Sequence, residues 1–251
     1  MTSSLISSRN APAKATDLHA QASPDFDAKL AETQALLRRA AAEFAPVTQA
    51  SSLGAEDVVI THLINSLQLD IPVFVLETGA LHTETLALLE RTQAHSRAPI
   101  NVFRPVQESV IQFVRERGQD AIYKTIELRK ACCGVRKMEP LGRALKGQKA
   151  WITGLRQEQS AARAEVPLLD ESEVTTKSLY KFNPLARWTW GDVWHYIATH
   201  QVDYNPLHDQ FFPSIGCAPC TRAISLGEEF RAGRWWWEDE AAKECGLHVK
   251  A

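Results

Sequence analysis

Between residues 46 and 118, short apolar runs alternate with stretches of helical spacing, and this alternation constrains the fold more than any other feature. Residues 46–52 (PVTQASS), 71–79 (IPVFVLETG) and 100–105 (INVFRP) read as strands. Residues 54–68, 82–95 and 106–118 read as the helices between them, the last closed by Gly118 as a C-cap. Acids at Glu56 and Asp57 suit the first turn of a helix, where the dipole favours negative charge. Strands separated by helices imply crossover units, and hence a parallel α/β sheet. Two further runs, KAWITGL at 149–155 and LYKFNPL at 179–185, extend the sheet. Ahead of it, Leu30, Leu36, Leu37 and Ala40/Ala41 mark a helix over 26–44. Behind it, Trp190, Val193, Trp194 and Ile197 share one face of a helix over 189–200.

Three regions are therefore expected: a disordered N-terminus over 1–24, an α/β unit over 25–208, and a long C-terminal segment over 209–251 without a core of its own. A length of 251 residues with 45% hydrophobic residues is enough for one sizeable core. The formal charge of −2 gives no global argument for nucleic acid or an anionic membrane. No apolar run approaches a membrane span, and the first twenty residues lack a secretory core, so a cytoplasmic location is expected.

Chemistry concentrates after the strands. Ser51, Ser52 and Gly54 lie between the first strand and its helix, where hydroxyls and free helix amides make a phosphate cradle. Thr78 and Gly79 form a second polar turn after the next strand. In open α/β sheets such turns share the ligand-binding edge, so together they point to a nucleotide. Residues 129–163 carry nine basic residues against Glu139 and Glu158, an excess that suits an anionic ligand; Lys137 and Arg156 belong to it.

The cysteine pattern is Cys132-Cys133, then Cys217-Ala-Pro-Cys220, then Cys245. A pair and a C-x-x-C supply four thiolates to an iron–sulfur cluster or to zinc. Adjacent cysteines are awkward as two ligands of one zinc, while C-x-P-C is similar to a thioredoxin-type dithiol. Cluster, zinc, redox dithiol and unligated thiols all remain open from spacing alone. Cys245 is left over, six residues from the end, with His248 beside it and Arg231 and Arg234 upstream. Cationic neighbours lower a thiol's pKa and raise its thiolate fraction.

Taken together, SSLGAEDVV, ETGALHTETL, CCGVRKMEPLGRAL, ITGLRQEQSAAR, FNPLARWTWGDVWHYI, DYNPLHDQFFPSIGCAPCTR and ECGLH resemble the iron–sulfur adenylyl-sulfate (APS) reductases, over roughly residues 45–248. The resemblance implies a Rossmann-like sheet of the adenine nucleotide alpha hydrolase type. It implies a [4Fe-4S] cluster on Cys132, Cys133, Cys217 and Cys220 that does not itself carry the electrons. Cys245 would be the nucleophile, attacking the sulfur of APS and expelling AMP. The S-sulfocysteine would then yield sulfite to a separate thioredoxin or glutaredoxin. Ser51, Ser52, Gly54, Thr78 and Gly79 would face the nucleotide. Lys137, Arg156, Arg231 and Arg234 would face the phosphosulfate, with His248 near the nucleophile. A homo-oligomer is expected by analogy, with neither nucleic acid nor membrane as partner. The aromatic run Trp235-Trp236-Trp237 is expected to anchor the tail. Glu77 stands where many relatives carry Asp.

Three other readings compete. One is a reductase of the 3′-phosphorylated substrate PAPS, or of both nucleotides; that branch generally lacks the four cysteines. Another is an RNA-thiolating enzyme of the ATP-pyrophosphatase type, which usually carries paired glycines that SSLGAEDV lacks. The third is a zinc-stabilised, non-catalytic nucleotide module.

Overall fold

The computed structural model describes residues 13–239. In β2 (Val73–Leu76), Val73 and Val75 enter one apolar cluster while Phe74 and Leu76 enter another. In β4 (Ala150–Ile152), Ala150 and Ile152 join the first cluster and Trp151 the second. A period of two with both faces apolar is what a strand covered by helices on either side requires.

These strands combine with β1 (Val47–Ser51), β3 (Ile100–Phe103), β5 (Leu169–Asp170) and β6 (Tyr180–Phe182). Among the described residues they form one six-stranded sheet in the order β3-β2-β1-β4-β6-β5. All neighbours are parallel except the edge pair, where Leu169 opposes Phe182 and Asp170 opposes Lys181. The parallel α/β expectation therefore holds. β5 was not foreseen, because two residues are too short to display a period.

One face of the sheet is covered by α2 (Phe26–Glu43), α3 (Ala55–Ser66), α4 (Thr83–His95) and α9 (Trp190–His200). Leu37, Ile60, Leu88 and Trp194 carry these helices into the larger cluster. The chain then leaves β3 through α5 (Gln107–Arg117), α6 (Ile126–Cys133) and α7 (Glu139–Leu145). Leu141 and Ala144 of α7 close the opposite face against Phe74 and Trp151. A short α8 (Val174–Lys177) joins β5 to β6. Strands thus run outward from β1 to β3, and the chain returns to lay β4 on the other side of β1. Right-handed crossovers put the two runs of helices on opposite faces. The crevice opens where the order reverses, beyond the carboxyl ends of β1 and β4.

The expected disorder over residues 1–24 does not hold for residues 13–24. α1 (Ala15–His19) packs there, with Ala15 fully buried and its amide donating to Asp209 at 2.7 Å. His19 lies against the rings of Trp190 and Trp194. The missed contact partners are more than 170 residues away, beyond the reach of local periodicity.

Asp192 makes the join. Its carboxylate accepts from the Ser23 amide at 2.7 Å, the Ser23 hydroxyl at 3.0 Å and Lys29 at 3.2 Å. It also accepts from the Thr189 amide at 2.9 Å, while Thr189 Oγ1 accepts from the Asp192 amide at 3.0 Å, a reciprocal helix cap. Burial pushes this carboxyl up, but the bonds from Ser23, Thr189 and Lys29 prevail and hold it at about 2.

A depressed carboxylate contributes stability above its unfolded pKa and loses it as pH falls through the folded one. Asp192→Asn should therefore cost about 2 kcal/mol near neutrality. The cost should fade between the unfolded carboxylate range and pH 2, as measured by urea unfolding of variant and wild type in parallel.

Candidate active site

The turn after β1 is built by its own side chains. Leu53 adopts a left-handed backbone (φ 61°), and its amide donates to Ser51 Oγ at 3.2 Å. Ser52 donates to the Asp57 carboxylate twice, from its amide at 2.6 Å and its hydroxyl at 2.7 Å. Gly54 caps α3 with extended backbone. Ser51, Ser52 and Gly54 do line the crevice, yet the hydroxyls first serve to shape the turn.

Asp57 also receives the backbone N–H of Gly154, past the end of β4. A Cβ at Gly154 would overlap the Asp57 carboxylate, so only glycine permits this approach. One carboxyl thus stitches the β1 turn to the β4 turn. Burial raises it to about 6, with the neighbouring Glu56 charge adding to the rise and the Ser52 and Gly154 bonds opposing it.

Arg156 was expected to reach the ligand, and the structure turns it inward. Its side chain is 1% exposed and is not among the residues lining the crevice. The guanidinium pairs with Glu56 at 2.9 Å and Glu158 at 3.1 Å, donates to the Trp188 carbonyl, and lies over the rings of Trp190 and Phe230. It neutralises a buried acid of the α3 first turn; removing one partner of such a pair costs about 3–5 kcal/mol. From this stretch of the chain, the cation that lines the crevice is Arg163. Gln159 donates to Glu56 at 3.0 Å and accepts from Arg163 at 2.7 Å, so the acid places the arginine through an amide. Arg163 closes the ITGLRQEQSAAR stretch, so the signal was present at the end of that motif rather than at its strand.

The second polar turn meets the C-terminal segment. Leu81 bridges Cys217 in antiparallel fashion, and the Ala218 amide donates to the Ala80 carbonyl at 2.7 Å. Thr78 lines the crevice and contacts Cys217 Sγ at 3.3 Å. Gly79 has φ +69° and is not among the crevice-lining residues; Arg136 fills the space beside it and donates to the Thr78 carbonyl at 2.7 Å. Glu77 secures the turn by accepting from the Gly79 amide at 2.7 Å and from Arg104 at 3.1 Å.

Cys217, Cys220, Ile122 and Trp235 form one apolar cluster, with Cys132 and Cys133 packed against it. None of these four thiols is in a disulfide. Cys132 and Cys133 end α6, and a π-helical turn (Gly134–Met138) follows directly. Such single π turns inside helices recur at functional sites. Burial pushes the Cys220 thiol up to about 11 with help from Cys217, while Lys137 and Arg234 oppose it. Burial also raises Cys132, against Arg136 and Lys137. Among the described residues, no three His, Cys, Asp or Glu side chains stand close enough to hold a single metal ion.

Lys137, Arg231 and Arg234 line the crevice. Arg234 is buried against Gly216, donates to the Ile215 carbonyl at 3.2 Å and Ser214 Oγ at 3.3 Å, and lies over the Trp235 ring. His208 was missed. Its buried ring lines the crevice, and burial lowers it to about 4, so it is a neutral imidazole near pH 7. Cys245 and His248 lie outside the described residues. No helix among the described residues is long and apolar enough to cross a membrane.

Known proteins resemble this chain over most of its length. The family described as phosphoadenosine phosphosulfate reductase domain matches residues 46–223. An adenosine 5'-phosphosulfate reductase of Allochromatium vinosum is 50% identical over 85% of this chain and 82% of that relative. One of Burkholderia cepacia is 48% identical over 90% of each. The crystal structure of phosphoadenylyl-sulfate (PAPS) reductase from Candida auris, a phosphate complex, has a TM-score of 0.65 at 25% identity, covering 81% of this chain and 98% of that one. A Candida glabrata FMN adenylyltransferase with FAD and pyrophosphate shares the fold alone, with a TM-score of 0.55 at 11% identity over 94% of this chain and 84% of that one.

Because Asp57 is raised in the fold, its ionisation opposes folding. Wild-type stability should decline as pH rises from the unfolded carboxylate range to about 6. Asp57→Asn should remove that slope, so the stability difference between variant and wild type should change across this window and flatten above it in urea titrations.

Proposed function

This chain belongs to the phosphoadenosine phosphosulfate reductase family, and from that premise we propose that it reduces adenosine 5′-phosphosulfate (APS) to sulfite and AMP. The observation that carries the reading is Lys137. Its side chain lines the crevice and also acts electrostatically on Cys132 and Cys220. One cation thus serves both an anionic ligand and a wall of thiols. Arg163, Arg231 and Arg234 line the same crevice, which suits a phosphosulfate with one negative charge on its phosphate and one on its sulfate. The turn at Ser51, Ser52 and Gly54 suits the nucleotide, together with Thr78. Gly79 contributes by its left-handed backbone, which shapes the turn around Thr78.

In this reading the Cys245 thiolate attacks the sulfur of APS. A sulfur–sulfur bond forms, the sulfur–oxygen bond to phosphate breaks, and AMP leaves. A dithiol reductant of the thioredoxin or glutaredoxin class then attacks Cys245 Sγ. Sulfite departs with the bonding electrons, and the second thiol of the reductant resolves the mixed disulfide. His248, three residues beyond the nucleophile, favours its thiolate when cationic.

Cys132, Cys133, Cys217 and Cys220 would hold a [4Fe-4S] cluster. The donor set fits: four thiols outside any disulfide, gathered around one apolar cluster, with Arg136 and Lys137 opposing the thiols' burial. Iron–sulfur clusters take four cysteine thiolates in this way. When bound there, the cluster would supply a fixed charge distribution rather than the electrons of the reaction.

The adenosine 5'-phosphosulfate reductases at 48–50% identity favour APS over its 3′-phosphorylated form. The PAPS reductase neighbour at 25% identity keeps that substrate as the second reading.

Purified holoprotein should be brown, release sulfite from APS when given reduced thioredoxin, and turn APS over faster than PAPS in paired rate assays. Cys245→Ser should keep colour and nucleotide affinity but release no sulfite. Faster turnover of PAPS would overturn the substrate assignment, and wild-type turnover by Cys245→Ser would overturn the nucleophile.

A further inference from the structure

Two short helices flank the sheet face that carries Trp151: α7, of seven residues, and α8, of four. Between them a groove of about 660 Å3 stays open, a volume within the range of small-molecule sites. Leu141 and Leu145 line it from α7, Met138 from the π turn, Trp151 from β4, and Leu179 from just before β6. The rim is basic, with Lys146, Lys149 and Lys177 against one acid, Glu173. Lys177 pairs with Glu173 at 2.9 Å. Lys149 donates to the Glu43 carbonyl at 2.7 Å, a contact that leaves its charge unbalanced. Lys146 has no carboxylate partner among the described residues. An apolar floor under a positive rim selects a ligand with an apolar body and an acidic head.

The groove also backs onto the crevice. Leu141 and Trp151 line both hollows, so the same two side chains stand between them. Met138 in the groove directly follows Lys137 in the crevice, within one π turn. Protein interiors are close-packed and transmit displacement rather than absorb it.

We propose that this groove is a second ligand site, for a small amphiphilic anion, and that its occupant weakens nucleotide binding across the shared wall. The two ligands press Leu141 and Trp151 from opposite sides, and both carry negative charge. The coupling rests on reading the crevice as the nucleotide site, whereas the groove's own ligand does not.

Gly142 supplies the test. It lines the groove from α7, and a Cβ there would meet nothing within 4 Å. Gly142→Phe therefore fills the groove, and replacing a helical glycine does not weaken the helix. Holoprotein is titrated by calorimetry with decanoate, and with decyltrimethylammonium as a probe of equal apolar length and opposite charge. Decanoate should bind saturably at one site per chain, and decyltrimethylammonium should not bind at the same concentrations. Lys146→Glu should weaken decanoate by about fivefold or more. Gly142→Phe should abolish its binding while AMP affinity stays within about threefold. In the wild type, saturating decanoate should weaken AMP by about 5- to 50-fold and then plateau, and AMP should weaken decanoate by the same factor. Neither effect should appear in Gly142→Phe. Decanoate binding that survives Gly142→Phe, or equal binding of the cation, would overturn the site. Weakening of AMP without a plateau would place decanoate in the crevice and overturn it too. Loss of decanoate in Gly142→Phe with no effect on AMP in the wild type would overturn the coupling. A smaller assembly in solution for Gly142→Phe would assign the groove to contact between copies of the chain and overturn the small ligand. If wild-type protein binds no AMP, the nucleotide reading falls, and the response of decanoate to Gly142→Phe still decides the groove.

Discussion

The crevice between β1 and β4 exists because the strand order reverses there, and one buried carboxyl holds its two lips together. Asp57 takes the Ser52 amide and hydroxyl from one side and the Gly154 amide from the other. Beside it, Glu56 fixes Arg156 beneath the crevice and, through Gln159, Arg163 at its wall. Two acids in the first turn of α3 would by themselves oppose an anion. Asp57 instead sets the loop geometry, and the cations that Glu56 holds restore the positive field. Asp57, which takes its bonds from Ser52 and Gly154, is the group that burial raises.

The thiol wall obeys a related balance. Burial pushes Cys132 and Cys220 toward the protonated state, and mutual proximity adds to this. Arg136 and Lys137 pull against it from the π turn that follows α6, and Arg234 does so from the C-terminal segment. Lys137 and Arg234, which line the crevice, also favour the thiolate of Cys220. Lys137 belongs to both environments, so removing its charge would change the crevice and the surroundings of Cys132 and Cys220 together.

Much of this was legible in the sequence, for identifiable reasons. The strands that became β1, β2 and β3 carry apolar runs bounded by turn residues, and the helices between them carry regular spacing. The crevice residues Ser51, Ser52, Gly54 and Thr78 follow from strand ends, which topology brings to one edge. Arg156 misled because its position after β4 resembles those turns, yet its side chain points toward an acid a hundred residues earlier in the chain. α1 and β5 escaped for want of length, since each depends on partners supplied from elsewhere. The aromatic run divides in a way no pattern reveals: Trp235 is buried between two guanidinium groups, while Trp236 is 40% exposed. The buried pair of Arg129 and Glu238 gave no signal at all, because such a pair is visible only once both ends are placed.

The central claim is that a single thiol, Cys245, takes the sulfo group from APS before any reductant acts. Holoenzyme incubated with one equivalent of APS and no dithiol should release one equivalent of AMP. Peptide mass spectrometry should then find one added SO3 on the peptide carrying Cys245, removed as sulfite when reduced thioredoxin is supplied. AMP released with the adduct on another cysteine, or with no adduct on any, would contradict the account.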